Sequence, residues 1–401
     1  MSSLFPDILR ATRVIAALWA LNLLAPPSSQ AGDFFLAPGL FLRQEYNDNV
    51  EAVSSNRRGD EITTVSPTLA VSHKSETGAA LLSGGASALY YRQHTRSDSV
   101  GYFLNGAGSW APTPRLGFSA DLGYTRDSSA SSIDPASALV VSSRTQRQSC
   151  RLAGRYQLDE LSASSFAFDF GKTAYDTPTY PDASYFQGSA GVDYDLGRFF
   201  PKGVVTPLVS LRQDRTPLSQ VDNLNLTLGF SRALDELWAL SLNGGARFTR
   251  SEFGSADSPE RATHRDVGAL GKLLLSYTGE GTSANATLSR SLTPASGRTG
   301  ATQLTGATLT FFERIAGGLS GRLDAGYARN RSAEKQYAAQ AVDERSRSIS
   351  GTLIYAFQEA QRGLTLEGGY SYHGTKYLIS GAKMAQNIFM LRLNWQHEMF
   401  R

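Results

Sequence analysis

Leu364–His373 reads Leu-Thr-Leu-Glu-Gly-Gly-Tyr-Ser-Tyr-His, and its side chains sort by parity. Leu364, Leu366, Gly368, Tyr370 and Tyr372 share one face of an extended chain, and Thr365, Glu367, Gly369, Ser371 and His373 share the other. A period of two is the side-chain repeat of a β-strand. The same alternation returns from end to end. Leu116, Phe118, Ala120, Leu122 and Tyr124 oppose Gly117, Ser119, Asp121 and Thr125. Leu224, Leu226, Leu228 and Phe230 oppose Asn225, Thr227 and Ser231, and Phe389, Leu391, Leu393 and Trp395 repeat the pattern at the end. A single alternating strand fits a soluble sandwich. A chain made of little else, with no second domain, points to an all-β antiparallel up-and-down barrel that presents one face to lipid and the other to a wet lumen.

The spacing of the turns adds to this reading. Short polar breaks near residues 75, 113, 159, 198, 234, 280, 315 and 360 alternate with longer ones near 55, 95, 133, 179, 217, 257, 295, 337 and 378. The longer ones include Asn47–Asp60, Asp127–Val141, Ser251–His264 and the hydrophilic run Asn330–Arg345. Transmembrane barrels alternate short periplasmic turns with long external loops, and bacterial ones have an even strand number. The expectation is about eighteen strands, with about sixteen as the alternative, and both termini in the periplasm. Rising strands are expected to end at Tyr46, Tyr124, Tyr175, Phe248, Tyr327 and Tyr372, and descending ones at Trp110, Tyr194, Phe230, Phe311, Phe357 and Trp395. These would form the two aromatic girdles of a membrane barrel.

Composition agrees once the barrel geometry is considered. The 401 residues are 41% hydrophobic, and a mean hydropathy of −0.25 would suit a soluble protein. Only alternate strand residues face lipid, so a modest average is compatible with a membrane barrel. A net charge of +3 gives no sign of nucleic-acid binding, and the single cysteine, Cys150, allows no intrachain disulfide. At the start, Arg10 and Arg13 precede the apolar run Val14–Ala25, and Ser29-Gln30-Ala31 has the small residues of a cleavage site. Residues 1–31 therefore read as a cleaved signal peptide, and residues 32–401 as one barrel in the outer membrane of a Gram-negative cell.

No catalytic constellation, metal-ligand spacing or cofactor motif emerges. His73, His94, His264, His373 and His397 lie in separate segments, and no serine sits in a Gly-x-Ser-x-Gly elbow. The informative polar residues are those whose parity points them inward. They are Arg43, Glu45, Asp121, Arg151, Arg155, Asp169, Asp193, Asp195, Arg212, Arg247, Arg322, Asp324, Glu367 and Arg392. Such a set implies a charged lumen, in which opposed Arg and carboxylate rows would set a transverse field. A long loop folding inward would narrow the pore, and Asp127–Val141 is the one early candidate.

Arg43–Val50 (Arg-Gln-Glu-Tyr-Asn-Asp-Asn-Val) and Asp60–Leu69 (Asp-Glu-Ile-Thr-Thr-Val-Ser-Pro-Thr-Leu) resemble the opening of a β-barrel porin family found beside exopolysaccharide gene clusters. In that family an aromatic-x-Asp-Asn element ends the first strand and an Ile-x-x-Val-Ser-Pro-like element opens the second. The resemblance implies a passive outer conduit for exopolysaccharide, docked to a periplasmic export protein. The residues themselves leave two alternatives open: a general diffusion porin for small solutes, and a structural or adhesive barrel. The chain departs from the usual pattern at its end, where Phe400 is out of phase with Phe389–Trp395 and Arg401 follows.

Overall fold

The computed structural model describes residues 33–134, 139–178, 180–255, 258–294, 299–357 and 363–397. The expected signal segment, residues 1–31, and the terminal Phe400-Arg401 lie outside the described residues. The strands of the first part are β1 (Asp33–Asn47), β2 (Asp60–Lys74), β3 (Gly78–Tyr91), β4 (Ser99–Thr113) and β5 (Leu116–Asp127). Two short strands follow, β6 (Ser132–Asp134) and β7 (Leu139–Val141), which pair only with each other. The wall resumes with β8 (Thr145–Gln157), β9 (Ser162–Tyr175), β10 (Ala183–Asp195), β11 (Gly203–Thr216), β12 (Ser219–Ala233) and β13 (Trp238–Ser255). It continues through β14 (Ser258–Thr278), β15 (Thr282–Pro294), β16 (Ala301–Ala316), β17 (Leu319–Ser332), β18 (Val342–Ala356), β19 (Leu364–Tyr377) and β20 (Lys383–Gln396).

Leaving aside the β6–β7 hairpin, these strands form one 18-stranded antiparallel sheet. Each wall strand pairs with its neighbour in the chain, and β1 also pairs with β20, from Gly39 opposite Gln396 to Asn47 opposite Ile388. The sheet is therefore closed and has no free edge, which removes the unpaired backbone groups that a bilayer will not tolerate. Asp33 and Gln396 lie at the same end, so the described chain starts and finishes beside the short turns. No helix among the described residues is long and apolar enough to cross a membrane, and the crossing is made by strands.

Closure fixes which way each side chain points. Following the registers from β1 around to β20, one parity class of each strand stays on a single face throughout. One class carries exposed Phe166, Phe168, Leu226, Leu228, Phe389 and Leu391. This is the lipid-facing surface. Trp110, stacked on Phe118 at 5.8 Å, and Trp238, against Tyr277 at 5.0 Å, mark its short-turn rim. Exposed Tyr46, Phe248 and Tyr327 mark the other rim. Tyr175 departs from the expected girdle. It pairs with Thr145, which is 1% exposed on the inner face, and its ring meets Tyr180 at 5.6 Å.

Three of the expected long loops are shorter than their polarity suggests. β11 and β12 are joined by two residues, 217–218. Within Ser251–His264, β13 and β14 run on as a paired hairpin with Ser251 opposite His264. Within Asn330–Arg345, β17 and β18 stay in register, Asn330 opposite Glu344 and Arg331 opposite Asp343, leaving 333–341 as the connection. Polarity reports contact with water. A strand that projects beyond the bilayer keeps its hydrogen-bond ladder while losing its apolar face. Buried side chains collect at this loop end, in the clusters Val50, Ile62, Leu89, Tyr91 and Val221, Leu292, Ala301, Tyr337.

Candidate functional site: a charged lumen with two inward segments

The first inward segment is 128–144, the connection from β5 to β8. Ala130 donates its N–H to the Tyr91 hydroxyl at 3.2 Å, and Ser131 donates to the Val50 carbonyl at 2.9 Å. Gln386 of β20 donates to Ser131 Oγ at 3.3 Å, and Ser142 donates to the Glu51 carbonyl at 2.5 Å. Ser129, Ser131 and Ser132 share a cavity of about 420 Å³ with Arg43, Glu45, Thr64 and Ser66 of the inner wall. Its described residues thus leave the rim at β5 and lie inward against the inner wall of β1–β3 and β20.

Its anchor is the Asn-Asp-Asn run after β1. Asn47 Oδ1 accepts the Asn49 N–H at 2.9 Å, and the Asp48 carboxylate accepts both the Asn387 N–H and its side-chain amide at 2.7 and 2.6 Å. Asn49, fully buried, donates to the carbonyls of Val53 and Ala385 at 2.8 and 2.9 Å. Asp60, 1% exposed, accepts backbone N–H groups from Glu61, Gln93 and His94 and the His94 ring nitrogen at 2.8–3.0 Å. The motif residues therefore clasp β1 to β20 and fold the adjoining loops. The polar residues of the motif are turned to the scaffold, and sequence reading had assigned them no such role.

The second inward segment is 333–341, between β17 and β18. Ala301 donates its N–H to the Tyr337 carbonyl at 2.7 Å, and the Tyr337 ring lies 5.0 Å from the Arg247 guanidinium. Arg247 Nη2 donates to the Tyr337 hydroxyl at 2.9 Å and approaches Asp266 at 3.6 Å, and Tyr337 also donates to Asp266. Burial, followed by the bond to Asp266, pushes the Tyr337 hydroxyl up to about 12. Arg247 is 1% exposed. Its guanidinium is committed to holding this segment.

All the singled-out charged residues belong to the inner parity class, and the structure brings most of them together in pairs. Arg151 meets Asp169 at 3.3 Å, Arg155 meets Asp193 at 2.8 Å, and Arg322 meets Asp324 at 2.8 Å. Arg43 meets Glu45 at 3.2 Å, and Arg392 bonds Glu367. Arg212 is held by Asp214 at 2.8 Å and lies 4.2 Å over the Tyr185 ring. Asp121 stands opposite Arg151 in register, and Asp195 accepts the Gly197 N–H at 2.7 Å in the following turn. On the arc from β5 to β11 the register makes a continuous ladder, Asp121–Arg151–Asp169–Gln187–Arg212. The signs alternate over Asp121–Arg151–Asp169, and neutral Gln187 separates Asp169 from Arg212, which differs from the segregated Arg and carboxylate rows expected from sequence. Cross-strand neighbours stand close enough that like charges repel, so alternation is the lower-energy arrangement. Arg151 and Arg155 keep 57% and 60% of their side chains exposed, so this arc presents cationic heads to the bore. Among the described residues no group of three or more His, Cys, Asp or Glu is placed to hold a metal ion.

Comparison with known proteins bears on this geometry. Residues 25–204 match the family described as "Putative beta-barrel porin 2". Among solved structures, OccK2 (OpdF) of Pseudomonas aeruginosa is similar at 12% identity, TM-score 0.49, covering 92% of this chain and 99% of its own. OccAB4 of Acinetobacter baumannii is similar at 10% identity, TM-score 0.48, covering 93% and 100%. A search of curated proteins by sequence finds no match. The family match over residues 25–204 and the closed 18-stranded wall agree on an outer-membrane β-barrel, a channel former rather than an enzyme.

Proposed function

We propose that the barrel is a passive porin for small hydrophilic solutes, with the loop end outside the cell and both termini in the periplasm. The observation that carries this reading is the inward segment 128–144, bonded to Tyr91, Val50 and Gln386 across the inner wall. An inward-folded loop sets a size limit, and the charges left exposed beside it set which solutes pass. The uncovered arc with Arg151 and Arg155 favours anionic or polar solutes over apolar ones. Passage consists of exchange of water for fixed charges and amides along the alternating ladder, without an energy input. An exopolysaccharide conduit, as the resemblance to cluster-associated porins implies, calls for a bore open to a polymer chain. Two segments folded inward against the wall at the loop end work against that.

The test is single-channel conductance in planar bilayers combined with liposome swelling. Wild type should pass monosaccharides and small carboxylates and exclude long oligosaccharides. Replacing 130–142 with a short Gly/Ser link should raise conductance several-fold and admit larger sugars. Reversible block of the wild-type channel by dilute exopolysaccharide, with small sugars excluded, would return the reading to polymer export.

A further inference from the structure

The outer face carries a charge pattern that the channel reading does not use. At the loop end of β15–β20, register places Arg290 opposite Thr305, Thr305 opposite Arg329, Arg329 opposite Arg345, Arg345 opposite Lys376, and Lys376 opposite Lys383. These positions all belong to the outward parity class. The row crosses six strands, which at normal strand spacing is about 24 Å. Arg331 and Arg347 lie one outward position to either side of it on β17 and β18.

Three consecutive pairs in the row are cation against cation, an arrangement that costs stability when nothing neutralises it. Among the described residues, Asp343 is the one carboxylate on the outward faces of these strands near the row. Arg329 takes both of its oxygens, at 3.0 and 2.7 Å. Arg345, Lys376 and Lys383 have no carboxylate across from them in the register. Arg290 stands beside a neutral amide, Gln303. Just below, exposed Leu288, Leu309, Tyr327, Ile349 and Phe389 form the lipid-facing band. The row therefore begins where the apolar band ends, on the headgroup side of it. Basic clusters there attract anionic lipid, and guanidinium groups favour phosphate oxygens in a two-pronged fit.

We propose that the outer face of β15–β20 at the loop end is a binding surface for a lipid whose headgroup carries two or more phosphate groups. Several phosphates spaced along one headgroup match a row of cations better than a single phosphodiester does. The surface is distinct from the lumen, so it stands or falls independently of what permeates.

The test compares wild type, the triple variant Arg345→Gln/Lys376→Gln/Lys383→Gln, and Lys272→Gln as a control on the inner face of β14. Each is reconstituted in phosphatidylcholine vesicles, alone and with a minor fraction of a bis-phosphorylated glycolipid. Heat-modified gel mobility confirms that each barrel is folded. Wild type and Lys272→Gln should melt at a higher temperature with the phosphorylated lipid, and the triple variant should lose most of that rise. Native mass spectrometry should find the lipid retained on wild type and several-fold depleted on the triple variant. An equal rise in all three proteins, or no rise in wild type, would overturn the proposal. So would an equal rise with phosphatidylglycerol, which would reduce the row to general charge attraction, or with free inorganic phosphate, which would make it a soluble-anion site.

Discussion

The inner wall from β5 to β11 and the outer rim from β15 to β20 are built from similar residues in opposite arrangements. Inside, Asp121–Arg151–Asp169 alternates sign from strand to strand, Gln187 separates this run from Arg212, and each guanidinium finds an acceptor within the protein. Outside, Arg329–Arg345–Lys376–Lys383 repeats one sign across four strands. The inner ladder is self-sufficient. The outer row has Asp343 as its one outward carboxylate nearby among the described residues. On the two proposals above, charge order across strands separates a surface that passes solutes from one that holds a lipid.

The largest effect should come from confusing the two faces. Leu226→Arg places a charge on the apolar part of the outer face and should cost about 2–4 kcal/mol if it sits near the bilayer midplane. Asp169→Asn on the inner ladder should cost well under about 1 kcal/mol, the usual limit for an exposed ion pair. Urea unfolding from lipid vesicles measures both, and equal costs would undo the division of faces. Next in size is Tyr337→Phe, which removes the hydroxyl between Arg247 and Asp266 and leaves a buried guanidinium short of an acceptor, a loss of about 1–3 kcal/mol. Hydrogen exchange in 333–341 should rise in that variant.

Two substitutions convert each region toward the other. Asp169→Lys sets a cation opposite Arg151 and should destabilise by up to about 1 kcal/mol. It should also shift the reversal potential in a salt gradient toward anion selectivity. Arg345→Glu breaks the like-charge row and should stabilise the barrel in neutral detergent by about 0.2–1 kcal/mol. Stabilisation by the first and destabilisation by the second would reverse the comparison. The smallest effect is with pH. The Tyr337 hydroxyl, raised to about 12 in the folded protein, lies above the unfolded tyrosine value of about 10. Its contribution is whole below about pH 10 and fades as pH rises from there toward about 12. Conductance should therefore hold steady from neutral pH up to mildly alkaline values and change only above that range.

The barrel was legible because alternation is a local property: Leu364–His373 shows its two faces without reference to any neighbour. Strand ends were less legible. Asn330–Arg345 reads as a loop because Arg331, Glu344 and Arg345 are hydrophilic, yet they sit in paired strands. That misreading also hid the cationic row, which exists only once six strands are set in register. The inward charges could be chosen by parity, but their pairing could not. Arg155 reaches Asp193 two strands away, and Arg247 turns to a tyrosine 90 residues on. The Asn47-Asp48-Asn49 run was visible as a motif, and only the closed barrel shows Asn387 and Ala385 as its partners.

That clasp bears on how the barrel assembles. All the wall pairings but one join strands adjacent in the chain, so they are within easy reach as hairpins emerge. The exception brings Asp48 to Asn387 across 339 residues. Until it forms, the protein is an open sheet with two adhesive edges, the state most exposed to pairing with another chain. A buried, side-chain-specific lock at the seam favours self-closure over that error. Loss of the Asp48 clasp should therefore show in the yield of closed barrels more than in anything the finished pore does.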